Sequence, residues 1–303
     1  MLDPRDEMTA AMVLCAGLGT RLAPLTDELA KPLMPVGDLP ALAHISAALD
    51  RAGLAPIVVN THHRHADFSR EVVRYKPEVH VVHEPLILGT AGGIAHAAAA
   101  LGGGCIVVWN GDILAPALDV ASLIARHRAA SAGVLWVVEP AAAGKGTVGL
   151  DDEGRVVRLR GERFGAETSG GDFLGVQVMG PELRRTLPPR GCLVADVALP
   201  LLRQGGRIDT FLYRGEWDDI GHPASLLRAN LRWLAARGLG AWSAAGTTID
   251  ARVTLERSVV AEGAVVSGAG VVRECVVFPG ARLDAPASRV LAALRVTLAV
   301  DGA

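Results

Sequence analysis

Short apolar runs alternate with segments of helical periodicity through the first half of the chain. Four runs are continuous rather than alternating, as expected of strands covered on both faces; they span 11–15, 56–60, 79–83 and 105–110. Helical spacing predicts helices over 40–53, 65–75, 91–101 and 119–130. The repeated strand–helix–strand order predicts an α/β fold with a mostly parallel sheet and helices on both of its faces.

The pattern changes at about residue 133, where shorter apolar stretches predict strands and hairpins as far as about residue 220. The sequence DDEG at 151–154 is typical of a hairpin turn. A further helix is predicted over 223–237, closed by Gly238.

Valine pairs then recur about every six residues between 259 and 277, a period typical of the coils of a parallel β-helix. Stacked coils need neighbours, so we expect this piece to lean on the main domain or on another subunit. The apolar tail needs a docking surface too. We therefore predict a main domain over 1–240, a short β-helix over 247–286 and an apolar docking tail over 287–303.

Composition excludes several classes of partner. Half of the 303 residues are hydrophobic and the net charge is −2, which indicates neither a nucleic-acid-binding surface nor a basic membrane patch. Four scattered cysteines without a C-x-x-C pair (Cys15, Cys105, Cys192 and Cys275) fit a reducing compartment. The first ten residues carry no apolar signal core, and no run approaches the ~20 apolar residues of a membrane span. We expect a cytoplasmic protein without membrane or nucleic-acid contacts.

A glycine- and proline-rich segment follows the first predicted strand, with the sequence AGLGTRLAPLTDELAKP over 16–32. Successive amides in such a loop can bind an anion, and the Arg21 guanidinium could bind pyrophosphate oxygens with two parallel hydrogen bonds. Pro32 could fix a turn that aims Lys31 back at the same phosphates. Leu22 stands where both the dinucleotide fingerprint and the P-loop require glycine. The alternative is a surface loop with two solvated cations.

Three further motifs are candidates for ligand binding. GTAGG at 89–93 precedes a helix and could hold a phosphate or underlie a base, or be a simple turn. Asp112 follows a predicted strand, where open α/β sheets place ligands, and is a magnesium candidate or a turn residue. Either Asp218 or Asp219 could supply a second carboxylate, or simply favour the following helix. The histidines at 62, 63 and 65 lack acidic or cysteine partners nearby in sequence, which disfavours a metal site.

Together these motifs resemble those of the sugar-1-phosphate nucleotidyltransferases. The family's opening motif, G-x-G-T-R-L-x-P-L-T followed by K-P, is matched here by Gly17, Gly19, Thr20, Arg21, Leu22, Pro24, Leu25, Thr26, Lys31 and Pro32. EPLILGTAGG, NGD, FLGV and WDDIG follow in the family's order, and the resemblance covers about residues 10 to 235. It implies a Rossmann-like catalytic domain, and many members carry a left-handed β-helix after it.

The resemblance also implies roles for individual residues. Arg21 would stabilise the departing pyrophosphate and Lys31 would bridge phosphates near the reacting centre. Asp112 and Asp219 would hold Mg²⁺, and Asp112 would thereby be catalytic. The nucleoside triphosphate would be bound by Leu14, Ala16, Gly17, Gly19, Thr20, Arg21, Glu84, Gly89 and Thr90. The sugar phosphate would be bound by Gly146, Glu162, Arg163 and Gly175.

One departure from the family pattern concerns the sugar phosphate. The family usually has Glu-Lys-Pro, whose lysine binds this phosphate, whereas this chain has Arg163 and Phe164 in the last two places. An arginine offers the phosphate a planar fork of donors rather than a point charge.

The resemblance implies transfer of a nucleoside monophosphate from an NTP to a sugar 1-phosphate, with pyrophosphate released. GTP with a mannose-type 1-phosphate is the preferred pair, and UTP with an N-acetylated or glucose-type 1-phosphate, such as N-acetylmuramate 1-phosphate, is the alternative. A regulatory paralogue that binds NDP-sugar would be expected to lack Arg21, Lys31 or the acidic residues, and all are present. A β-helix acyltransferase would need a catalytic histidine on its coils, yet none occurs after His222. The valine-rich coils indicate a homo-oligomer.

Overall fold

A computed structural model describes residues 8–75, 79–130 and 133–301. The polar N-terminal segment considered above therefore lies mostly outside the described residues. Within them, no helix combines the length and the apolar character that crossing a membrane requires.

The helices are α1 (Ala41–Arg51), α2 (His65–Tyr75), α3 (Gly89–His96), α4 (Ala98–Leu101), α5 (Val120–Ala130), α6 (Pro181–Arg185), α7 (Leu199–Arg203) and α8 (Pro223–Ala235). Single 3₁₀ turns span Thr20–Leu22, Leu25–Asp27 and Lys31–Leu33, and a π-helical turn spans Leu193–Ala198.

The strands are β1 (Met8–Leu14), β2 (Pro35–Val36), β3 (Leu39–Pro40), β4 (Ile57–Thr61), β5 (Val79–His83), β6 (Cys105–Asn110), β7 (Ile113–Leu114), β8 (Val134–Ala141), β9 (Val148–Leu150), β10 (Val156–Leu159), β11 (Glu162–Arg163), β12 (Ser169–Met179), β13 (Asp209–Leu212), β14 (Asp218–Asp219), β15 (Trp242–Ser243), β16 (Thr248–Ile249), β17 (Val253–Glu256), β18 (Val259–Val260), β19 (Val265–Arg273), β20 (Val276–Val277), β21 (Arg282–Ser288), β22 (Val290–Ala292) and β23 (Thr297–Ala299).

The chain divides into two compact units that interleave along the sequence. The first contains residues up to Gly17 and Ser46–Glu216, and the second contains Leu18–Ile45 and Trp217–Ala303. The domains predicted from the sequence are consecutive segments of the chain, whereas these units interleave. The predicted boundaries stay a prediction.

The first unit is built on a ten-stranded sheet, in which eight strands have the order β11-β10-β9-β12-β6-β1-β4-β5. Of the other two, β8 pairs with β12, and β13 pairs with β8. The strands β6, β1, β4 and β5 are all parallel, as their continuous apolar runs predict. β12 then pairs antiparallel with β6, β8 and β9. The predicted DDEG turn joins β9 to β10, which pair antiparallel.

Buried apolar side chains cover this sheet and fix its strands in place. One core packs Met12, Val58 and Val108 of the parallel strands against Ile94 of α3. Because the parallel strands are adjacent and in register, with Leu14 opposite both Asn60 and Asn110, their carboxyl ends meet at one edge. Ligands of open α/β sheets bind at this edge.

The C-terminal strands of the second unit form parallel stacks. Trp242 pairs with Val259 and Val259 with Val276, each 17 residues further along the chain. Three valine pairs lie in three rows of paired strands, those that begin at 259, 265 and 271. The pair at 259 forms β18, which pairs with β20. The pairs at 265 and 271 lie at the two ends of β19, which pairs with β16 at one end and with β17 at the other. The predicted parallel coils are therefore present.

Residues of the tail pack on the C-terminal stack. Residues Val290–Ala292 form β22, which pairs parallel with β20 and so extends the stack, and β23 folds back antiparallel on β22. Leu291 and Ala292 of β22 are fully buried, whereas Leu294, in the turn that follows, is exposed.

Candidate active site

The glycine-rich loop begins where β1 ends. In the first unit, the Cys15 N–H donates to Oδ1 of Asn60 at 2.9 Å, and the Gly111 N–H donates to the Leu14 carbonyl at 2.9 Å. Ala16 is buried, whereas Gly17 is exposed and has space around it. The start of the loop is thus held by neighbouring strands, while Gly17 presents its backbone to solvent.

Gly19 is a position that requires glycine. Its φ is +66°, in the left-handed region, and a Cβ there would lie 2.7 Å from Cγ2 of Thr26 and 3.4 Å from Cβ of Lys31. The Thr26 hydroxyl donates to the Gly19 carbonyl at 3.3 Å. The 3₁₀ turn that carries Pro32 therefore places the Cβ of Lys31 beside Gly19. That the Lys31 amine binds the phosphates stays a prediction.

Arg21 lies in the 3₁₀ turn that follows Gly19, and half of its side chain is exposed. Its Nη1 lies 2.9 Å from Nε2 of His222, and its Nη2 lies 3.5 Å from Oδ2 of Asp219. The guanidinium is thus tethered at two points and carries five N–H donors, enough to bind an anion as well.

The two adjacent aspartates of the WDDIG motif have different surroundings. Asp218 is buried and accepts from Arg228 at 2.7 Å and forms an ion pair with Arg232 at 3.1 Å. Asp219 is half-buried, and its Oδ1 accepts the Gly221 N–H at 2.8 Å. Asp218 therefore anchors α8, and Asp219 is the carboxylate of the pair suited to bind a ligand.

A buried network organises the edge of the sheet in the first unit. Glu84 is fully buried; its Oε1 accepts from Nδ2 of Asn60 at 2.6 Å, and its Oε2 accepts the Leu88 N–H at 3.1 Å. A Cβ on Gly93 would lie 2.5 Å from the Asn60 amide nitrogen and 2.7 Å from Oε1 of Glu84. The Glu84 carboxylate thus holds the backbone of the loop that leads to α3.

The start of α3 is covered by a later segment of the first unit. The Ala91 N–H donates to the Gly191 carbonyl at 2.9 Å, and the Leu193 N–H donates to the Thr90 hydroxyl at 2.8 Å. Gly89 has a φ of +77°, and a Cβ there would overlap the Gly191 carbonyl. The N–H of Ala91 in this helix start is therefore already hydrogen-bonded to protein.

Asp112 follows β6 in a tight connection. The Trp109 indole N–H donates to the Ile113 carbonyl at 2.8 Å, across the turn that carries Asp112. Gly175 of β12 has a φ of +75°, and a Cβ there would overlap the Asn110 side-chain amide. Asp112 is half-buried at the carboxyl end of its strand, next to the end of β1, as the sequence predicts.

The residues predicted to bind the sugar phosphate lie around a second polar network of the first unit. Arg158 donates to Oε2 of Glu167 at 2.9 Å and to the Gly146 carbonyl at 3.2 Å. Arg163 is two-thirds exposed, and its Nη1 lies 3.7 Å from Oε2 of Glu167. Gly146 and Arg163 are therefore linked through the Arg158–Glu167 pair.

Glu162 has a different partner. Arg203 donates to both of its carboxylate oxygens, at 2.9 and 2.5 Å, and this hydrogen bonding lowers the pKa of Glu162. Glu162 is therefore ionised and oriented by Arg203.

The sequence patterns did not identify several residues of these networks as part of the site. Asn60 ends a strand of apolar residues, and a lone polar residue at a strand end was the available signal. His222 and Glu167 had no such signal, because their partners Arg21 and Arg158 are identified only by the fold. Within the described residues, no cluster of three or more His, Cys, Asp or Glu forms a metal site, so the protein itself offers Mg²⁺ at most paired carboxylates.

Comparison with known proteins places this geometry in a family. Residues 10–162 match the family model described as Nucleotidyl transferase. The mannose-1-phosphate guanylyltransferase of Mycobacterium tuberculosis is 31% identical over 285 residues, which cover 90% of this chain and 78% of that protein.

The chain belongs to the sugar-1-phosphate nucleotidyltransferase family.

Other relatives of this nucleotidyltransferase differ in the substrates that they are named for. The N-acetylmuramate alpha-1-phosphate uridylyltransferase of Neisseria meningitidis is 32% identical over 238 residues, which cover 72% of this chain and 96% of that protein. A crystal structure of HddC from Yersinia pseudotuberculosis complexed with GMP-PN superposes with a TM-score of 0.63 at 21% identity, covering 75% of this chain and 100% of that one, which supports the fold. The chain is an enzyme of this family whose base and sugar are not fixed by these likenesses.

Proposed function

We propose that this nucleotidyltransferase transfers GMP from GTP to a mannose-type sugar 1-phosphate and releases pyrophosphate. The similarity to the guanylyltransferase of M. tuberculosis carries this proposal, because it extends over 90% of the chain. A uridylyl transfer to N-acetylmuramate 1-phosphate, or to a glucose-type 1-phosphate, is the second candidate. The uridylyltransferase of N. meningitidis favours it, because that relative is 32% identical and is matched over 96% of its length.

The reaction joins two anions. A phosphate oxygen of the sugar 1-phosphate attacks the α-phosphorus of the triphosphate; the new P–O bond forms as the bond to the β-phosphate oxygen breaks, and pyrophosphate carries away that electron pair. The attacking phosphate is already ionised at neutral pH, so the reaction needs no general base. Catalysis therefore consists of alignment and neutralisation of charge.

Arg21 and Lys31 are proposed to stabilise the charge that moves onto the leaving pyrophosphate. Both residues follow Gly19 in one glycine- and proline-rich segment, in which Lys31 lies beside Gly19, and backbone amides of this loop could bind the same phosphates. Gly17, Gly19 and Thr20 would contribute these amides.

Asp112 and Asp219 are proposed to hold Mg²⁺. Both are half-buried carboxylates, the ligand type that Mg²⁺ prefers, and Asp219 already has one oxygen oriented by the Gly221 N–H. When bound, the ion would neutralise phosphate charge at the reacting phosphorus.

Binding of base and ribose is proposed to involve Leu14, Ala16, Glu84, Gly89 and Thr90. Since the Glu84 carboxylate is fully buried and already hydrogen-bonded, its part is to hold the loop, whose backbone would contact the base. The sugar phosphate is proposed to bind near Gly146, Glu162, Arg163 and Gly175, with Arg163 acting as a planar fork on the phosphate.

We further propose a left-handed β-helix, a cytoplasmic location and a homo-oligomer. Parallel coils of about 17 residues, close to three six-residue sides, favour the first. No disulfide joins the four cysteines, all of which the structure describes, as a reducing compartment would favour. The coils expose the apolar side chains of Val271 and Leu294, which suits association.

A matrix of the four NTPs against sugar 1-phosphates tests the proposal, with pyrophosphate release and the sugar nucleotide both measured in the presence of Mg²⁺. We expect GTP with mannose 1-phosphate to give the highest kcat/KM. Preference for UTP with N-acetylmuramate 1-phosphate would establish the second candidate, and no sugar nucleotide from any pair would contradict nucleotidyl transfer by this chain.

A further inference from the structure

The side chain of Arg21 lies against His222 and Gly221. The Nη1 nitrogen of Arg21 lies 2.9 Å from Nε2 of His222, and both residues belong to the second unit. We propose that His222 is a positioning residue, which holds the Arg21 guanidinium in the orientation that binds the leaving pyrophosphate. This inference rests on the proposed role of Arg21 in nucleotidyl transfer.

The contact fixes the role of one imidazole nitrogen. A guanidinium has only donors, so Nε2 of His222 accepts from Nη1 of Arg21. Unlike a carboxylate, an imidazole that accepts this hydrogen bond brings no negative charge to the guanidinium. His222 therefore orients Arg21 without cancelling the charge that attracts an anionic ligand.

Asp219, the other partner of Arg21, is a weaker tether. Its Oδ2 lies 3.5 Å from Nη2 of Arg21, while its Oδ1 is held by the Gly221 N–H. Asp219 is also a proposed ligand of Mg²⁺, and a carboxylate bound to a cation attracts a guanidinium less strongly. The hydrogen bond between His222 and Arg21 would therefore persist when Asp219 binds Mg²⁺.

Gly221 provides the space in which the guanidinium lies. A Cβ at this position would overlap Nη2 of Arg21 and would lie 2.9 Å from its Cζ and 2.7 Å from Oδ1 of Asp219. Gly221 is buried although its neighbour His222 is exposed, because the Arg21 side chain covers it. A side chain at 221 would displace the ends of two side chains, those of Arg21 and Asp219, rather than backbone, so the fold would tolerate it. Because the Asp219 carboxylate would shift too, the metal-free measurement below is the one that isolates the effect on Arg21.

The backbone of His222 is fixed by the start of α8. The Ser225 hydroxyl accepts the His222 N–H at 3.2 Å and donates to its carbonyl at 2.9 Å, and Pro223 occupies the first helical position. Asn230 of the same helix accepts the Gly37 N–H at 2.8 Å, which ties α8 to the segment that follows Lys31. Holding an arginine on a fixed helix start reduces the side-chain entropy lost when the phosphate binds.

Kinetics of the full chain with its best substrate pair test this inference. His222→Phe keeps the ring shape but removes the acceptor, and Gly221→Ala displaces the guanidinium. Both should lower kcat about 10-fold or more and change KM by less than about 3-fold, since the lost interaction strengthens in the transition state. His222→Gln, whose amide oxygen can accept in place of Nε2, should stay within about 3-fold of the parent. Gly240→Ala is the matched control and should leave kcat unchanged. Like Gly221, Gly240 belongs to the second unit and has a backbone conformation that alanine can adopt, but a Cβ there meets nothing within 4 Å.

A double-mutant cycle shows whether His222 acts through Arg21. In an Arg21→Ala background, His222→Phe should lower kcat by no more than about 2-fold further, because its partner is already gone. A full 10-fold effect in that background would overturn the inference, as would normal turnover of either Arg21→Ala or His222→Phe.

Binding of inorganic pyrophosphate in EDTA, followed by calorimetry, gives a readout that needs neither metal nor turnover. His222→Phe and Gly221→Ala should weaken it about 5-fold while His222→Gln does not, and thermal melting should show all three folded. Equal affinities in all of these variants would contradict the positioning role. If the parent makes no sugar nucleotide from any pair, the proposed function fails, and the pyrophosphate measurement still decides whether His222 holds Arg21 for an anion.

Discussion

Asn60 and Glu84 join three segments of the first unit through one buried hydrogen-bond network. Asn60 accepts from the backbone after β1 and donates to Glu84, which in turn accepts from the backbone before α3. A buried carboxylate is costly unless its oxygens are hydrogen-bonded, so the network must keep its geometry. Gly93 permits this, because it leaves room for both side chains against the helix.

Gly93→Ala should destabilise the protein by about 1–3 kcal/mol through overpacking. Alanine normally stabilises a helix relative to glycine by about 0.5–1 kcal/mol, so a loss of stability would identify the clash with Asn60 and Glu84 as its cause. Urea denaturation followed by circular dichroism measures the change.

Gly103→Ala is the control for that substitution, because a Cβ there meets nothing within 4 Å and the residue is exposed. It should change stability by no more than about 0.5 kcal/mol. Equal stabilities of the Gly93 and Gly103 variants would refute the tight packing around the Asn60–Glu84 pair.

At the scale of elements, the loop before β9 depends on one ion pair. Arg158 of β10 donates to the carbonyls of Lys145, Gly146 and Val148, and Glu167 binds Arg158 while its Oε1 accepts the Gly144 N–H at 2.7 Å. The pair thus fixes the loop that carries Gly146, a residue proposed to contact the sugar. The hydrogen bond from Arg158, with that from Gly144, lowers the pKa of Glu167.

Glu167→Gln should lower the urea midpoint at pH 7 and raise KM for the sugar 1-phosphate more than KM for the NTP. Because the folded-state pKa of Glu167 lies below its unfolded value, its charge stabilises the fold above about pH 4.5, and this contribution is lost as the pH falls through the folded-state pKa. The stability difference from the parent should therefore shrink in acid, and a difference that stays constant from pH 7 to 3 would rule out the charged contact.

The sequence predicted the elements of this region well and their long-range contacts poorly. The strands β5 and β6 and helix α2 have the bounds that their apolar patterns predicted. The helix predicted over 91–101 instead begins at Gly89 and divides into α3 and α4. The segment around Gly191 that covers the start of α3 lies about a hundred residues further along the chain, and no local pattern signals such a contact.

At the scale of the whole molecule, each compact unit is assembled from distant parts of the chain. In the second unit, the Glu28 carboxylate accepts the Arg295 N–H at 2.8 Å, which links the segment between Arg21 and Lys31 to the last coil. The hydrogen bond from the Gly37 N–H to Asn230 links the segment after Lys31 to α8. The coils are therefore part of the unit that carries Arg21 and Lys31, the cations proposed to bind phosphate.

The sequence predicted the parallel coils but not this assembly. Valine pairs at a six-residue spacing specify coils by local packing alone, and the coils are present. That the tail forms a further strand of the stack depends on β20, its partner in space, rather than on any pattern within the tail. Among the candidate site residues, Arg21, Lys31 and Asp219 were predicted from motifs, whereas the contact of His222 with Arg21 required the structure.

Nucleotidyl transfer by this chain would break the bond between the α- and β-phosphates of an NTP and join the α-phosphate to a sugar phosphate. Phosphorus-31 NMR of the full chain with Mg²⁺, GTP and mannose 1-phosphate, and with UTP and N-acetylmuramate 1-phosphate, follows every phosphorus at once. The triphosphate signals should disappear as pyrophosphate and the two coupled signals of a sugar nucleotide appear in equal amounts. Formation of orthophosphate and a nucleoside diphosphate, or no change with either pair, would contradict such a transfer.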